Sequence, residues 1–398
     1  MPDKDLALGD IRVLDLSEGV PGSYCAKVMA GLGAHVIKVE RPGSGDVSRT
    51  TGPFPNDEPH PEKSAAFLYL NTGKKSITLN LENPTGAAIL KRLVQDSDVL
   101  IESFPVGYMD GIGLGYSDLE SLNPTLVYTA ISPFGQTGPY RDYKNSDIVT
   151  QAMGALMDTI GTPDRGPLKI GGNAALYTVG MGAFSGTMLA IYARDTQGHG
   201  EFVDVSAMET ITVAQIHSSI GYQFRGTNQT RRESALLLAG DGYVNPGLSV
   251  GVQEDTWRNV CDLIGHPELA DDPIFSTREG RREYQEDLLA IIGAWVAEQP
   301  SKEEIYHQVQ ALRTIAGYVA TVEDLVKSKQ FVAREYFISM DHPVAGEVIY
   351  PGAPFTLAGE EWQHSRAPLL GEHNAEVYCD SLGYSREDFV KLSNLGVI

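Results

Sequence analysis

The sequence has 398 residues, of which 42% are hydrophobic and 21% charged, a composition typical of a soluble globular protein with a sizeable core. It carries 52 acidic and 31 basic side chains, so its formal net charge at neutral pH is −21. That charge repels phosphate backbones and anionic lipid and argues against broad nucleic-acid or membrane-surface binding. Any anionic ligand would need local basic residues.

The cysteines and the first residues indicate the compartment. Cys25, Cys261 and Cys379 are far apart and odd in number, which predicts neither a disulfide framework nor a metal cluster. The first ten residues are charged and lack the apolar run of a signal peptide, so we expect a cytoplasmic protein.

The N-terminal half alternates strand and helix patterns. Apolar runs at 11–16 and 35–40 predict strands, and 23–33 between them has helical spacing that ends in glycine. Further strands are predicted at 75–81, 98–104 and 125–135.

Helices are expected between these later strands. Asn83 is a typical helix cap followed by Pro84 at the first helical position, and 116–122 predicts a short helix. Right-handed crossovers then give a mostly parallel sheet with helices on both faces, an α/β fold.

The pattern changes at about residue 225. The segment to about 330 predicts mainly amphipathic helices, and the tail from about 345 returns to strand and turn character. We therefore divide the chain into a large domain (1–224), a smaller α-rich domain (225–330) and a C-terminal segment (331–398).

The segment IGGNAALYTVG (170–180) predicts the end of a strand that opens through two glycines into a helix. In α/β enzymes such a position often presents a reactive group, but here it offers only Asn173, Tyr177 and Thr178. The uncharged run from Ile170 to Ala193 is long enough to span a bilayer. Its glycines favour a buried helix, with close approach of another element at Gly182 and Gly186.

Other ligand motifs are weak. Glu40 ends the second strand where a ribose-binding acid would lie, but the turn SEGVPGS lacks the glycine pattern of a dinucleotide site, so Glu40 is more simply a solvated strand end. GSGD at 43–46 is either a surface turn or, beside Arg41, a phosphate-holding loop. The histidines show no metal-binding or paired spacing.

Six segments in order resemble the family III CoA-transferases, the formyl-CoA and carnitine CoA-transferase group. They are VLDLSEGVPGSYCAKVMAGLGAHVIKVERPGSGD, LNTGKKSITLNL, ISPFGQTGPYRDYKNSDIVTQAMGAL, GHGEFVDVSAMET, DGYV and RAPLLGEHNAEV. The resemblance implies a Rossmann-like large domain built from the N-terminal part and the C-terminal segment. It also implies a ring-shaped chain that interlocks with a second chain into a dimer.

The resemblance further implies the chemistry. In this family an aspartate attacks the donor thioester to give a mixed anhydride, CoA thiolate converts it to an aspartyl thioester, and the acceptor carboxylate then takes the aspartate's place. The matching position here is Leu176, which cannot form an anhydride. A racemase branch uses a His and Asp pair, but Ser146 and Leu176 occupy those positions. Asp147 is the one outside candidate for a relocated nucleophile, although a structural role suits it better.

Positions that contact CoA in the family are partly retained. The matching residues are Glu18, Gly19, Val20, Pro21, Arg41, Leu79, Ser103, Phe104 and Lys144. Gly111 stands where a basic residue usually meets a CoA phosphate. We therefore expect that the chain binds CoA weakly or retains only the remnant of a CoA site.

These observations predict a catalytically silent subunit of a heteromeric CoA-transferase, paired with a homologue that keeps the aspartate. By resemblance, the donor would be succinyl-CoA and the acceptor a carboxylic acid such as an aryl-substituted succinate, as in anaerobic aromatic degradation. CoA thioester is then a substrate, with no tightly bound cofactor or metal. The alternatives are an active homodimer that uses Asp147, or a non-catalytic protein that binds CoA or acyl-CoA.

Overall fold

A computed structural model describes residues 6–229, 231, 235–359 and 361–398. The chain forms two units. Unit 1 comprises Met1–Arg231 and Tyr336–Ile398, and unit 2 comprises Arg232–Glu335.

Six strands form the central sheet of unit 1. They are β1 (Arg12–Asp15), β2 (His35–Glu40), β3 (Lys75–Thr78), β4 (Val99–Glu102), β5 (Val127–Ser132) and β6 (Phe202–Ser206). Their order is 3-2-1-4-5-6 and each neighbouring pair is parallel. This is the order of doubly wound nucleotide-binding folds, in which the winding direction reverses between β1 and β4. The predicted α/β fold with a mostly parallel sheet is confirmed.

The helices of this part of unit 1 include every one predicted from the sequence. They are α1 (Pro21–Gly31), α2 (Ala65–Leu70), α3 (Pro84–Gln95), α4 (Tyr108–Gly111), α5 (Tyr116–Glu120), α6 (Asp147–Met153), α7 (Ala174–Gln197), α8 (Ala207–Val213) and α9 (Ile216–Arg225). Short 3₁₀ turns lie at Val47–Thr50, Pro55–Asp57 and Met157–Thr159. The Asn83 side chain caps α3 by accepting a hydrogen bond from the Thr85 amide at 2.9 Å.

Two apolar cores cover the two faces of the sheet. On one face, Val13, Val99 and Val127 pack against α1 and α7. On the other, Leu14 and Leu100 pack against α3 and the C-terminal segment. Strands buried on both sides are near-continuous apolar runs, and the strand patterns of the sequence show this property.

Small residues bring α7 close to its neighbours. A Cβ on Gly180 would lie 2.7 Å from the carbonyl oxygen of Pro21 in α1. A Cβ on Gly182 would lie 2.9 Å from Thr210 of α8, and one on Gly186 would lie 3.0 Å from Val203 of β6. The predicted close approach at Gly182 and Gly186 is confirmed. The helix is nevertheless not buried all round, since Leu189 and Tyr192 are 69% and 72% exposed.

Unit 2 has its own apolar core, which includes Trp257, Leu288 and Ile305. Its elements are β7 (Leu237–Ala239), β8 (Gly242–Asn245), α10 (Glu254–Leu263), α11 (Arg278–Glu283), α12 (Gln285–Glu298), α13 (Lys302–Ala311), β9 (Gly317–Tyr318), α14 (Val322–Lys327) and α15 (Lys329–Ala333), with a 3₁₀ turn at Pro267–Ala270. The strands form a small antiparallel sheet in the order β7-β8-β9 that the sequence patterns did not predict.

The C-terminal segment completes unit 1. Its elements are the antiparallel pair β10 (Phe337–His342) and β11 (Gly346–Pro351), a π-helical stretch at Glu376–Ser381, and α16 (Arg386–Asn394). The Tyr378 hydroxyl donates to the Thr78 carbonyl at 2.6 Å, and the Asn80 amide donates to the Val397 carbonyl at 2.8 Å. The end of the chain therefore closes the core beside β3.

A buried charge cluster joins the carboxyl ends of β1 and β2. The Lys38 ammonium lies 2.7 Å from Asp46 Oδ2 and 3.6 Å from Asp15 Oδ2. It also donates to the Ser17 carbonyl oxygen. Burial alone would lower the pKa of Lys38, but Asp15 and Asp46 outweigh it and raise that pKa above its ordinary value. The lysine therefore stays charged and ties the loops after β1 and β2 together.

A second buried pair fixes Glu40. Its carboxylate accepts from Arg49 Nε at 2.7 Å and from Arg49 Nη2 at 2.9 Å. The guanidinium also reaches Glu62 at 2.7 Å and stacks 3.6 Å from the ring centre of Phe67. The interpretation of Glu40 as a solvated strand end is wrong: the side chain is bound by an arginine nine residues later, a pairing that strand patterns do not reveal.

Replacing Lys38 by methionine should lower the free energy of unfolding by about 3–5 kcal/mol, because buried Asp46 loses its cation and Asp15 keeps only Lys74, whose Nζ lies 2.8 Å from Asp15 Oδ2. The matched control is Lys75→Met, since the Lys75–Glu376 pair at 2.5 Å is about half exposed and should cost less than about 1 kcal/mol. Urea unfolding of both variants measures the difference. Equal losses would contradict the structural role assigned to Lys38.

Candidate functional site

The loop after β1 is held in place from two sides. The Glu18 amide donates to Ser103 Oγ at 2.9 Å, and the Ser103 hydroxyl donates to the Glu18 carbonyl at 3.2 Å. The Gly19 amide donates to Asp46 Oδ1 at 3.2 Å, and its φ of +73° is a conformation that favours glycine. The loops after β1, β2 and β4 therefore form one connected rim.

This rim encloses a cavity of about 400 Å³ at the carboxyl ends of β1 to β4. In open α/β sheets, ligands bind at such a position, where the winding reverses. Four residues predicted to contact CoA line the cavity: Glu18, Arg41, Leu79 and Phe104.

The charges of the cavity are mostly acidic. Glu40 and Asp46 belong to its wall but are bound by Arg49 and Lys38. Among the described residues that line the cavity, Arg41 alone is basic, and its Nε lies 3.3 Å from Glu18 Oε1. The Ser44 to Asp46 part of the GSGD segment also lines the cavity, so this segment is part of the cleft wall.

The other predicted CoA-contacting residues lie outside the lining. Gly19, Val20, Pro21 and Ser103 shape the loop and the start of α1 that border it. Lys144 is exposed in the segment between β5 and α6. Gly111 ends α4 and presents no side chain to a ligand. Contact of all these positions with CoA stays a prediction.

The segment before α7 is a loop, whereas the sequence pattern predicted the end of a strand there. Residues 166–173 are irregular, so the expectation of a strand leading into Gly171 is wrong. The side chain of Gln151 replaces a neighbouring strand as hydrogen-bond partner: its Oε1 accepts from the Ile170 amide at 2.8 Å, and its Nε2 donates to the Ile170 carbonyl at 3.2 Å.

Leu176 lies in the first turn of α7 and is half-buried. The neighbouring Tyr177 packs edge-on against Tyr24, with ring centres 4.9 Å apart, and lies 6.0 Å from Tyr69. The first turn of α7 thus carries a hydrocarbon side chain followed by an aromatic one. Leu176 has no atom that could attack a thioester or transfer a proton.

Asp147 is engaged in a local network. Its Oδ2 lies 2.5 Å from Lys169 Nζ and accepts from Gln151 Nε2 at 3.0 Å. Only 12% of the side chain is exposed. The carboxylate therefore helps to anchor the loop that leads to α7. Its other oxygen is buried without a partner among the described residues.

Comparison of the sequence with known proteins identifies the family to which the chain belongs. Residues 8–374 match the profile of CoA-transferase family III. The chain is 32% identical to the succinyl-CoA–D-citramalate CoA-transferase of Chloroflexus aurantiacus, over 98% of both chains. It is 30% identical to the BbsE subunit of succinyl-CoA:(R)-benzylsuccinate CoA-transferase from Thauera aromatica, over 97% of both. The chain belongs to CoA-transferase family III.

A solved structure supports the same assignment. A CAIB/BAIF family protein from Brucella suis superposes with a TM-score of 0.84 at 29% identity, over 94% of this chain and 99% of the other. The relatives named above transfer CoA from succinyl-CoA to a carboxylic acid, according to their names. CoA-transferase chemistry with CoA thioesters as substrates is therefore the activity of this family.

Sequence patterns missed a buried amine beside Tyr69, which packs against Tyr177. Lys27 of α1 is 5% exposed, donates to Thr72 Oγ1 at 2.5 Å and lies 4.4 Å from the ring centre of Tyr69. Burial, and secondarily the nearby Lys74, lower the pKa of Lys27 to about 7. The available signal was a single lysine within the apolar helix SYCAKVMAG.

The stability of the protein should depend on the titration of Lys27. Because its pKa is near 7 when folded and near 10.4 when unfolded, the unfolded chain binds more protons between these values. The free energy of unfolding should therefore rise with pH from about 7 to about 10, and Lys27→Met should remove this contribution. At pH 7 the variant should be more stable by roughly 3–5 kcal/mol, with the gain shrinking as pH rises.

Urea unfolding across this pH range measures the effect. The exposed Lys391 provides a control variant, Lys391→Met, which should follow the wild-type curve. Parallel curves for Lys27→Met and the wild type would show that the amine is charged in the folded protein.

Proposed function

We propose that this chain is a catalytically silent subunit of a heteromeric CoA-transferase that moves CoA from an acyl-CoA, in the first instance succinyl-CoA, to a carboxylic acid. The observation that carries the proposal is Leu176, at the position where the family's chemistry requires a carboxylate. The acceptor would be a dicarboxylate of the kind named for the relatives, such as benzylsuccinate or D-citramalate.

The sequence around α7 offers no substitute. No aspartate or glutamate occurs from 165 to 194, a run that includes the loop and most of the helix. The reaction requires a carboxylate that takes the acyl group from CoA as a mixed anhydride and then, when CoA thiolate attacks and the donor acid leaves, holds CoA as a thioester. A chain without this group cannot complete either step.

The placement of Asp147 argues against a relocated nucleophile. Its carboxylate is paired with Lys169 and bound by Gln151, and both contacts fix the loop before α7. The other oxygen, Oδ1, has no partner among the described residues but is buried, so an attack on a thioester would require this network to move. We therefore assign Asp147 a structural role.

Exposed apolar side chains support assembly with a second chain. Several large ones project from α7, α8 and α9, namely Leu189, Tyr192, Val213, Ile220 and Phe224, which are 42–85% exposed. Contiguous exposed apolar side chains mark protein–protein contact, and α7 and α8, which carry Leu189, Tyr192 and Val213, pack against each other. The relative BbsE is itself named as a subunit. We propose that the partner is a homologous chain that carries the aspartate, that the two chains interlock, and that the assembly is cytoplasmic.

The division of labour can be tested by purifying the chain alone and together with the homologue that copurifies from its native source. The lone chain should show no turnover with succinyl-CoA and a panel of glutarate, D-citramalate and benzylsuccinate. In the active complex, borohydride or hydroxylamine trapping should label the partner only. Loss of the partner's aspartate should reduce turnover on the order of 10⁶-fold.

Two variants of this chain serve as controls in the complex. Leu176→Asn and Asp147→Asn should leave the trapped adduct on the partner, because neither residue takes part in the reaction. Turnover by the lone chain that Asp147→Asn abolishes would instead establish an active enzyme with a relocated nucleophile. CoA binding without turnover in every combination would favour a non-catalytic binding protein.

The apolar surface of α7 gives a separate prediction. The double variant Leu189→Glu/Tyr192→Glu should weaken association with the partner by about 100-fold or more, because charge is placed where apolar area becomes buried. Leu395, 73% exposed and directly following α16, supplies the control variant Leu395→Glu. Sedimentation of the mixed chains measures both. Unchanged association of the double variant would place the interface elsewhere.

A further inference from the structure

The rim of the cavity carries two carboxylates that do not belong to the buried charge network. Glu18 lies in the loop after β1, and Glu82 lies beyond β3 and is exposed. The Tyr108 hydroxyl donates to Glu82 Oε1 at 3.3 Å, which holds that carboxylate at the rim.

The basic side chain of the cavity is already engaged. Arg41 Nε lies 3.3 Å from Glu18 Oε1, with 58% and 35% of the two side chains exposed. A phosphate that bound Arg41 would have to displace Glu18 or lie beside it. The start of α1 compensates little, since Pro21 at its first position has no amide hydrogen to donate.

Among the described residues, the walls add no free positive charge. Glu40 is bound by Arg49 and Asp46 by Lys38, so both of these buried cations are matched by carboxylates. The charged side chains that the structure describes in the cavity lining are therefore two matched wall acids, the Arg41–Glu18 pair and Glu82. Coenzyme A carries three phosphate groups with about four negative charges near neutral pH.

We infer that Glu18 and Glu82 make this cleft discriminate against the phosphates of coenzyme A, so that CoA in the assembly occupies the cleft of the partner chain. The second clause rests on the proposed function. The two acids act as specificity determinants: the cavity retains the shape of a nucleotide site, but its charge favours ligands that lack phosphate.

Titration calorimetry of the isolated chain with CoA, dephospho-CoA, pantetheine and adenosine tests the inference. CoA should bind no more tightly than dephospho-CoA, because its additional 3′-phosphate contributes no affinity. Raising the ionic strength from about 20 to about 200 mM should strengthen CoA binding, since salt screens repulsion. Glu18→Gln/Glu82→Gln should tighten CoA binding at least about tenfold and leave adenosine within about twofold.

Glu120 provides a matched control. It is exposed, lies outside the cavity lining and contacts the Tyr116 hydroxyl at 3.4 Å, as Glu82 contacts that of Tyr108. Glu120→Gln should leave CoA binding unchanged. If it tightens CoA binding as much as the double variant, the effect belongs to the overall charge of the chain and the inference is wrong.

The remaining outcomes separate this inference from the proposed function. CoA binding at least tenfold tighter than dephospho-CoA binding, or CoA binding weakened by salt, overturns the inference. Such binding without turnover by the lone chain leaves the silent-subunit proposal standing. Turnover by the lone chain refutes the silent role, whatever the titrations give.

Discussion

The shared cation at Lys38 is the interaction on which the rest of the large unit depends. It joins Asp15 at the end of β1 to Asp46 in the loop after β2, and Asp46 in turn binds the amide of Gly19. These contacts set the spacing of two loops that form the cleft rim. Buried ion pairs contribute little net stability, but the loss of one partner is costly, so the cluster acts mainly as a geometric constraint.

That constraint is independent of catalysis. Lys38, Arg49 and their carboxylates are matched with one another, and within the described part of the chain none of them forms an ion pair with the first turn of α7. The architecture of the cleft rim is therefore set by residues other than the one at position 176.

Much of the fold could be predicted from the sequence, since strands buried on both faces appear as short apolar runs and the Asn83–Pro84 signal marks the start of a helix. The buried pairs could not, because Glu40 and Arg49 meet only after the loop between them has folded. The prediction of a strand before Gly171 was wrong for a similar reason. The side chain of Gln151, nineteen residues before Ile170, forms hydrogen bonds with the Ile170 backbone in place of a neighbouring strand. The leucine at position 176 was visible in the sequence. The pairing of the charged side chains around the cavity became visible only in the structure.

The route of the chain also affects how the protein is made. Tyr378 and the backbone of Val397 form hydrogen bonds with residues in and just after β3. The large unit therefore contains hydrogen-bond partners 300 residues or more apart in sequence. Such contacts form late and slow the folding of a domain. During translation, unit 2 is synthesised in full before these last partners leave the ribosome, so it can fold while the core of unit 1 is still open. The nascent chain therefore exposes an incomplete nucleotide-type sheet until Tyr378 and Val397 have emerged, a period in which a chaperone would protect it.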